Sequence, residues 1–132
     1  DSLLVLNRDP STGLLSHFET HTDGVAGVTG LTSPEGVIIE PKTGLVMAFG
    51  SESDSVAVFR HNPATGGLEF AGAEFDGLDG VDGLADPSEG CLDPQGRNLH
   101  AASWDDDALS VFLISLFADG FESGDTTSWS GP

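Results

Sequence analysis

Three Asp-Gly pairs crowd one stretch, Asp76-Gly77-Leu78-Asp79-Gly80-Val81-Asp82-Gly83-Leu84-Ala85-Asp86. Carboxylates at this density can hold a divalent cation, and calcium suits them best. It takes about six to eight oxygens, from carboxylates and backbone carbonyls, and tolerates irregular geometry. The glycines let the chain curl so that carbonyls join the set. Asp105 and Asp106 would add to it wherever the two segments meet. The same residues are also ordinary turn chemistry. The copy at Asp23-Gly24-Val25-Ala26-Gly27-Val28-Thr29-Gly30 keeps the glycines and loses most of the acids. The glycines are therefore structural, and the extra acids are optional to the fold. The spacing is neither an EF-hand nor a nonapeptide calcium repeat. A calcium site and a solvated acidic turn both stand at this point.

Other reactive residues offer less. His17 and His21 are four apart, a spacing that puts two imidazoles on one metal from a helix but not from a strand. His61 and His100 have no partner in the pattern, and all four histidines read as structural or solvated. No Gly-x-Ser-x-Gly elbow marks a nucleophile. Acids are too abundant for any one pair to signal glycosidase chemistry. Trp104, beside Asp105, suits stacking on a sugar, although packing at a sheet edge is the commoner role. Cys91 is the only cysteine. It excludes an internal disulfide and reads as a buried structural thiol, since no basic group stands near it in sequence.

The elements that position these residues follow from a repeat. Asp1-Ser2-Leu3-Leu4-Val5-Leu6 returns as Asp54-Ser55-Val56-Ala57-Val58-Phe59 and again as Asp107-Ala108-Leu109-Ser110-Val111-Phe112, 53 residues apart each time. Laying 1–53 on 54–106 without gaps gives 16 identities, seven of them Gly or Pro. Turn residues recurring at a fixed offset mean that the backbone path recurs. Each period holds four short strands, in the middle unit Gly36–Glu40, Leu45–Phe49, Ser55–Arg60 and Leu68–Phe75. Pro41-Lys42-Thr43-Gly44 and Asn62-Pro63-Ala64-Thr65-Gly66 make turns between them. No segment sustains a 3.6-residue period, so the chain is all-β. A four-stranded repeat of this length predicts antiparallel propeller blades. Units 1–53 and 54–106 are followed by a partial one at 107–114 and a non-repeat tail at 115–132. The chain begins inside a repeat without an export signal, which reads as a mature product or a piece of a precursor.

The pattern Asp-Ser-x-x-Val-x-x-x-x-Pro-x-Thr-Gly, then Asp-Gly-x-x-Gly-Val-x-Gly-Leu and x-x-Pro, resembles bacterial lactonase-type (YVTN-like) β-propeller repeats over residues 1 to about 114. Such propellers carry about six to eight blades. This chain provides an incomplete ring, and open sheet edges seek partners. The tail resembles a Phe-x-Asp-Gly-Phe-Glu-Ser-Gly-Asp-x-x-x-Trp segment of secreted bacterial proteins. Phe117, Phe121 and Trp129 would anchor it as an added strand, on its own last blade or on a neighbouring chain.

Charge narrows the partners. Against 22 acidic residues stand only Arg8, Lys42, Arg60 and Arg97, a net charge of −18. Nucleic acid is excluded, because binding phosphate needs a basic surface. Divalent cations and basic surfaces fit instead. No apolar run reaches the roughly 18 residues of a membrane span. The reading that follows is a non-catalytic, extracellular structural or adhesive module that forms a homo-oligomer, ring or filament, through shared blades and tail. The alternative is a fragment of a larger lactonase-like or ligand-binding propeller.

Overall fold

A computed structural model describes residues 1–114, so Phe117, Phe121 and Trp129 lie outside the described residues. The chain there forms nine antiparallel strands: β1 (Ser2–Arg8), β2 (Leu15–Thr22), β3 (Pro34–Glu40), β4 (Leu45–Gly50), β5 (Ser55–His61), β6 (Leu68–Phe75), β7 (Pro87–Leu92), β8 (Asn98–Ser103) and β9 (Ala108–Leu113). They make three sheets, in the orders β1-β2, β3-β4-β5-β6 and β7-β8-β9. The starts of β1, β5 and β9 are 53 residues apart, as are those of β2 and β6, β3 and β7, and β4 and β8. The sequence period is thus the structural period. No described helix is long and apolar enough to cross a membrane.

Alternation along the strands sends side chains to the two faces of each sheet. From the middle sheet, Leu45, Met47, Phe49, Val56 and Val58 pack against Leu99, Ala101 and Phe112 of the third sheet and Leu84 and Ile114 at its two ends. Val46, Ala48, Ala57 and Phe59, on the other face, pack with Val28, Leu31 and Leu3 of the first unit. Hence β4 is buried along its whole length. Burying a large aliphatic or aromatic side chain contributes about 1.5–3 kcal/mol, and the middle sheet collects this on both faces.

The innermost strands crowd one another. A Cβ on Gly36 would come within 2.7 Å of the Ser88 carbonyl, and one on Gly90 within 2.9 Å of the Phe49 ring. Glycine is required where β3 and β7 converge on Phe49. Bulges after Pro34 and after Pro87 recur at the start of both strands, and they extend β3 two residues beyond the expected start.

The outer sheets differ. Leu4 and Leu6 on β1, and Leu109, Val111 and Leu113 on β9, are exposed. By register, Leu109 and Val111 are the counterparts of the buried Val56 and Val58. Cys91 is also exposed, which corrects the expectation of a buried thiol. Its counterpart in β3 is Ile38, which packs against the third unit. Cys91 occupies the equivalent face of the third sheet, where no further described sheet lies.

Candidate functional site

The strands run so that loops 23–33, 51–54, 76–86 and 104–107 gather at one end of the sheets, and the two longest connections, 23–33 and 76–86, are both there. Long loops carry function more often than tight turns do. The long-loop end, here termed the mouth, is the candidate functional face.

Its loops are built twice on one plan. Asp23 Oδ1 accepts the Leu31 amide at 2.9 Å, and Asp76 Oδ1 accepts the Leu84 amide at 2.9 Å. Asp1 Oδ1 accepts the Ser33 amide at 3.0 Å, and Asp54 Oδ1 accepts the Asp86 amide at 2.8 Å. The left-handed residues recur as well: Ala26 (φ 54) with Asp79 (φ 50), and Ser33 (φ 54) with Asp86 (φ 52). Asp tolerates this region better than most residues with a Cβ. Asp76 is therefore a loop anchor. Asp79 and Asp82 stand where the first copy has Ala26 and Thr29, so the loop path does not need their charge.

The expected meeting of the two acidic segments occurs. The Ala85 amide donates to Asp106 Oδ2 at 2.8 Å, and the Trp104 amide donates to the Asp86 carbonyl at 3.0 Å. The metal expectation fares differently. Asp76, Asp79, Asp82, Asp86, Asp105 and Asp106 share this end but are not drawn together. Among the described residues no group of three or more His, Cys, Asp or Glu could hold a metal ion. Asp76 and Asp106 are instead turned toward backbone amides. Nearby, burial and then the Asp79 charge hold the Glu74 carboxyl above its ordinary range.

Two further residues stand at this end, of which Ser103 went unread in the sequence. Trp104 is 73% exposed, so among the described residues its indole stands open at the rim. Ser103, at the mouth end of β8, is 6% exposed and its hydroxyl has no hydrogen-bond partner. The signal for Ser103 lay in the repeat, where its counterpart is Gly50.

Two of the histidines bond side chains on their own strand. His17 Nε2 bonds Thr20 Oγ1 at 2.8 Å. His21 bonds Glu19 at 3.1 Å and lies tilted against the Phe59 ring, with centroids 5.0 Å apart. Glu19 also accepts the Leu68 amide of the next unit, and that bond chiefly draws its carboxyl below the ordinary range.

No protein-family model matches the chain, and no curated protein does. Solved structures do. A protein of Bacteroides fragilis assigned as a 6-phosphogluconolactonase superposes with a TM-score of 0.66 at 18% identity, covering 85% of this chain and 28% of its own. The periplasmic gluconolactonase of Pseudomonas aeruginosa gives 0.65 at 22%, covering 85% and 29%. A protein of Bacteroides uniformis, also assigned as a 6-phosphogluconolactonase, gives 0.59 at 22%, covering 83% and 29%. The fold is that of lactonase-type β-propellers, and the chain spans less than a third of the length of these proteins. One of these neighbours is a gluconolactonase and two are assigned as 6-phosphogluconolactonases, which overturns the expected non-catalytic adhesive module in favour of its alternative, a fragment of a larger lactonase-like propeller.

Proposed function

We propose that the chain is a section of a larger lactonase-type propeller and that its mouth loops form part of the rim over a sugar-lactone site. One observation carries this reading: three successive sheets superpose on lactonase propellers over 85% of the chain with TM-scores of 0.66 and 0.65. Further blades of the same ring would cover the exposed faces at Leu4 and Leu109. Within such a ring the reaction is lactone hydrolysis, in which water adds to the carbonyl and the ring ester opens to a hydroxy acid. This section contributes rim residues, and the rest of the ring completes the site. One neighbour is periplasmic, and a periplasmic setting is part of the same proposal.

Gluconolactone hydrolysis by the full-length protein, followed by acid release above the spontaneous rate, tests it. Catalysed opening that is lost on removal of residues 1–114 is the expected result. A rate equal to the spontaneous one, for lactones with and without phosphate, contradicts it.

A further inference from the structure

The two ends of these sheets carry very different charge. Loops 23–33, 51–54, 76–86 and 104–107 hold ten carboxylates and no basic side chain. All four basic residues lie at the opposite end: Arg8 closing β1, Lys42 in the β3–β4 turn, Arg60 near the close of β5 and Arg97 in the β7–β8 turn. There Lys42 Nζ donates to the Gln95 carbonyl at 2.6 Å, and Arg97 stands 4.0 Å from Asp93. The field thus runs along the strands, with its negative pole at the mouth. Second-copy acids such as Asp79 and Asp82 add to that pole without serving the loop path.

An observation independent of charge points to a ligand at the same rim. A Cβ on Gly50 would lie 2.5 Å from the Gly30 carbonyl, inside the mouth loops. The third sheet has Ser103 at this register position, at the mouth end of β8 beside loop 104–107. Its hydroxyl is buried and unpaired, a costly state that a hydroxyl-bearing ligand or water relieves. The next residue, Trp104, presents an exposed indole, whose apolar face and polar tip suit a sugar ring.

We propose that this rim admits an uncharged polyhydroxy lactone and turns away its phosphorylated counterpart. The inference rests on the lactonase reading for the identity of the ligand, and on the charge distribution for its sign. A phosphate dianion approaching the mouth meets carboxylates with no Lys or Arg from this section to receive it. Fields of this kind alter association rates by about ten- to a thousand-fold and fade as salt shortens the screening length.

The test compares kcat/KM of the full-length protein for gluconolactone and for 6-phosphogluconolactone across ionic strength. The neutral lactone is expected to lead by about tenfold or more at low salt, with the gap closing as salt rises. Asp79→Asn with Asp82→Asn should raise the value for the phosphorylated lactone several-fold. Preference for the phosphorylated lactone at low salt, or a gap indifferent to salt and to these substitutions, overturns the proposal. If neither lactone is opened, the lactonase reading fails, and the field is read by itself from Trp104. The part of the emission lost in Trp104→Phe should be quenched more by caesium than by iodide at low salt. Equal quenching, or stronger quenching by iodide, overturns the charged mouth.

Discussion

The middle sheet and the third sheet share one strand plan and differ in what touches them. In the middle sheet, Val56, Ala57, Val58 and Phe59 are fully buried between two neighbouring units. In the third, Phe112 is buried like its counterpart Phe59, while Leu109 is 67% exposed although its counterpart Val56 is sealed. The backbone is the same, so the difference is neighbours and not propensity. A propeller sheet acquires its core from the sheets beside it. An apolar residue on an outer face of this section is therefore where the proposed ring would set another blade.

The largest effect should come from the middle sheet. Phe59→Ala removes a ring packed edge-on to Phe70 at 5.4 Å and should cost about 3–5 kcal/mol in chemical denaturation. Leu109→Ala sharpens the contrast. With a further blade on that face it should cost about 2–5 kcal/mol, and with the face open it should fall within about 0.5 kcal/mol of neutral. Gly36→Ala, pushed against the Ser88 carbonyl, should cost about 1–3 kcal/mol by overpacking. Asp76→Ala strands the Leu84 amide at about 1–3 kcal/mol, whereas Asp79→Ala restores the residue type of the first copy and should be nearly silent.

Acid gives the smallest effect. The Thr43 hydroxyl, then the Thr43 and Lys42 amides, hold Glu40 below its ordinary value of 4.5 against the opposing effect of burial. Its folded form favours the carboxylate, so its contribution is present above the ordinary value and lost as pH falls through the lowered one. Tm against pH should flatten on the acid side in Glu40→Gln. Glu74 is held up by burial and Asp79, so its contribution is present at low pH and lost as pH rises through the raised value. Glu74→Gln should therefore raise Tm at neutral pH.

Much of this was legible in the residues. The offset from Asp1 to Asp54 to Asp107 fixed the blade plan, and Gly and Pro at turn positions fixed the strand limits, because backbone geometry constrains those residue types directly. The adjacency of loops 76–86 and 104–107 followed from the same plan. What could not be read was side-chain fate. Cys91 looks buried by composition, yet burial depends on a sheet elsewhere in space. The acids of 76–86 look like a metal shell, yet Asp76 is committed to an amide, a role that its counterpart Asp23 could have disclosed. Trp104 could be read for either stacking or packing, and Ser103 gave no signal alone, since it replaces a glycine.

Cys91 tests the central claim most directly, because it lies on the face where the proposed ring would set its next blade. Iodoacetamide labelling of the full-length protein, read by peptide mass, should proceed slowly in native buffer and freely in urea. Native labelling at the unfolded rate would mean that the face stays open and that this section does not belong to a closed lactonase-type ring.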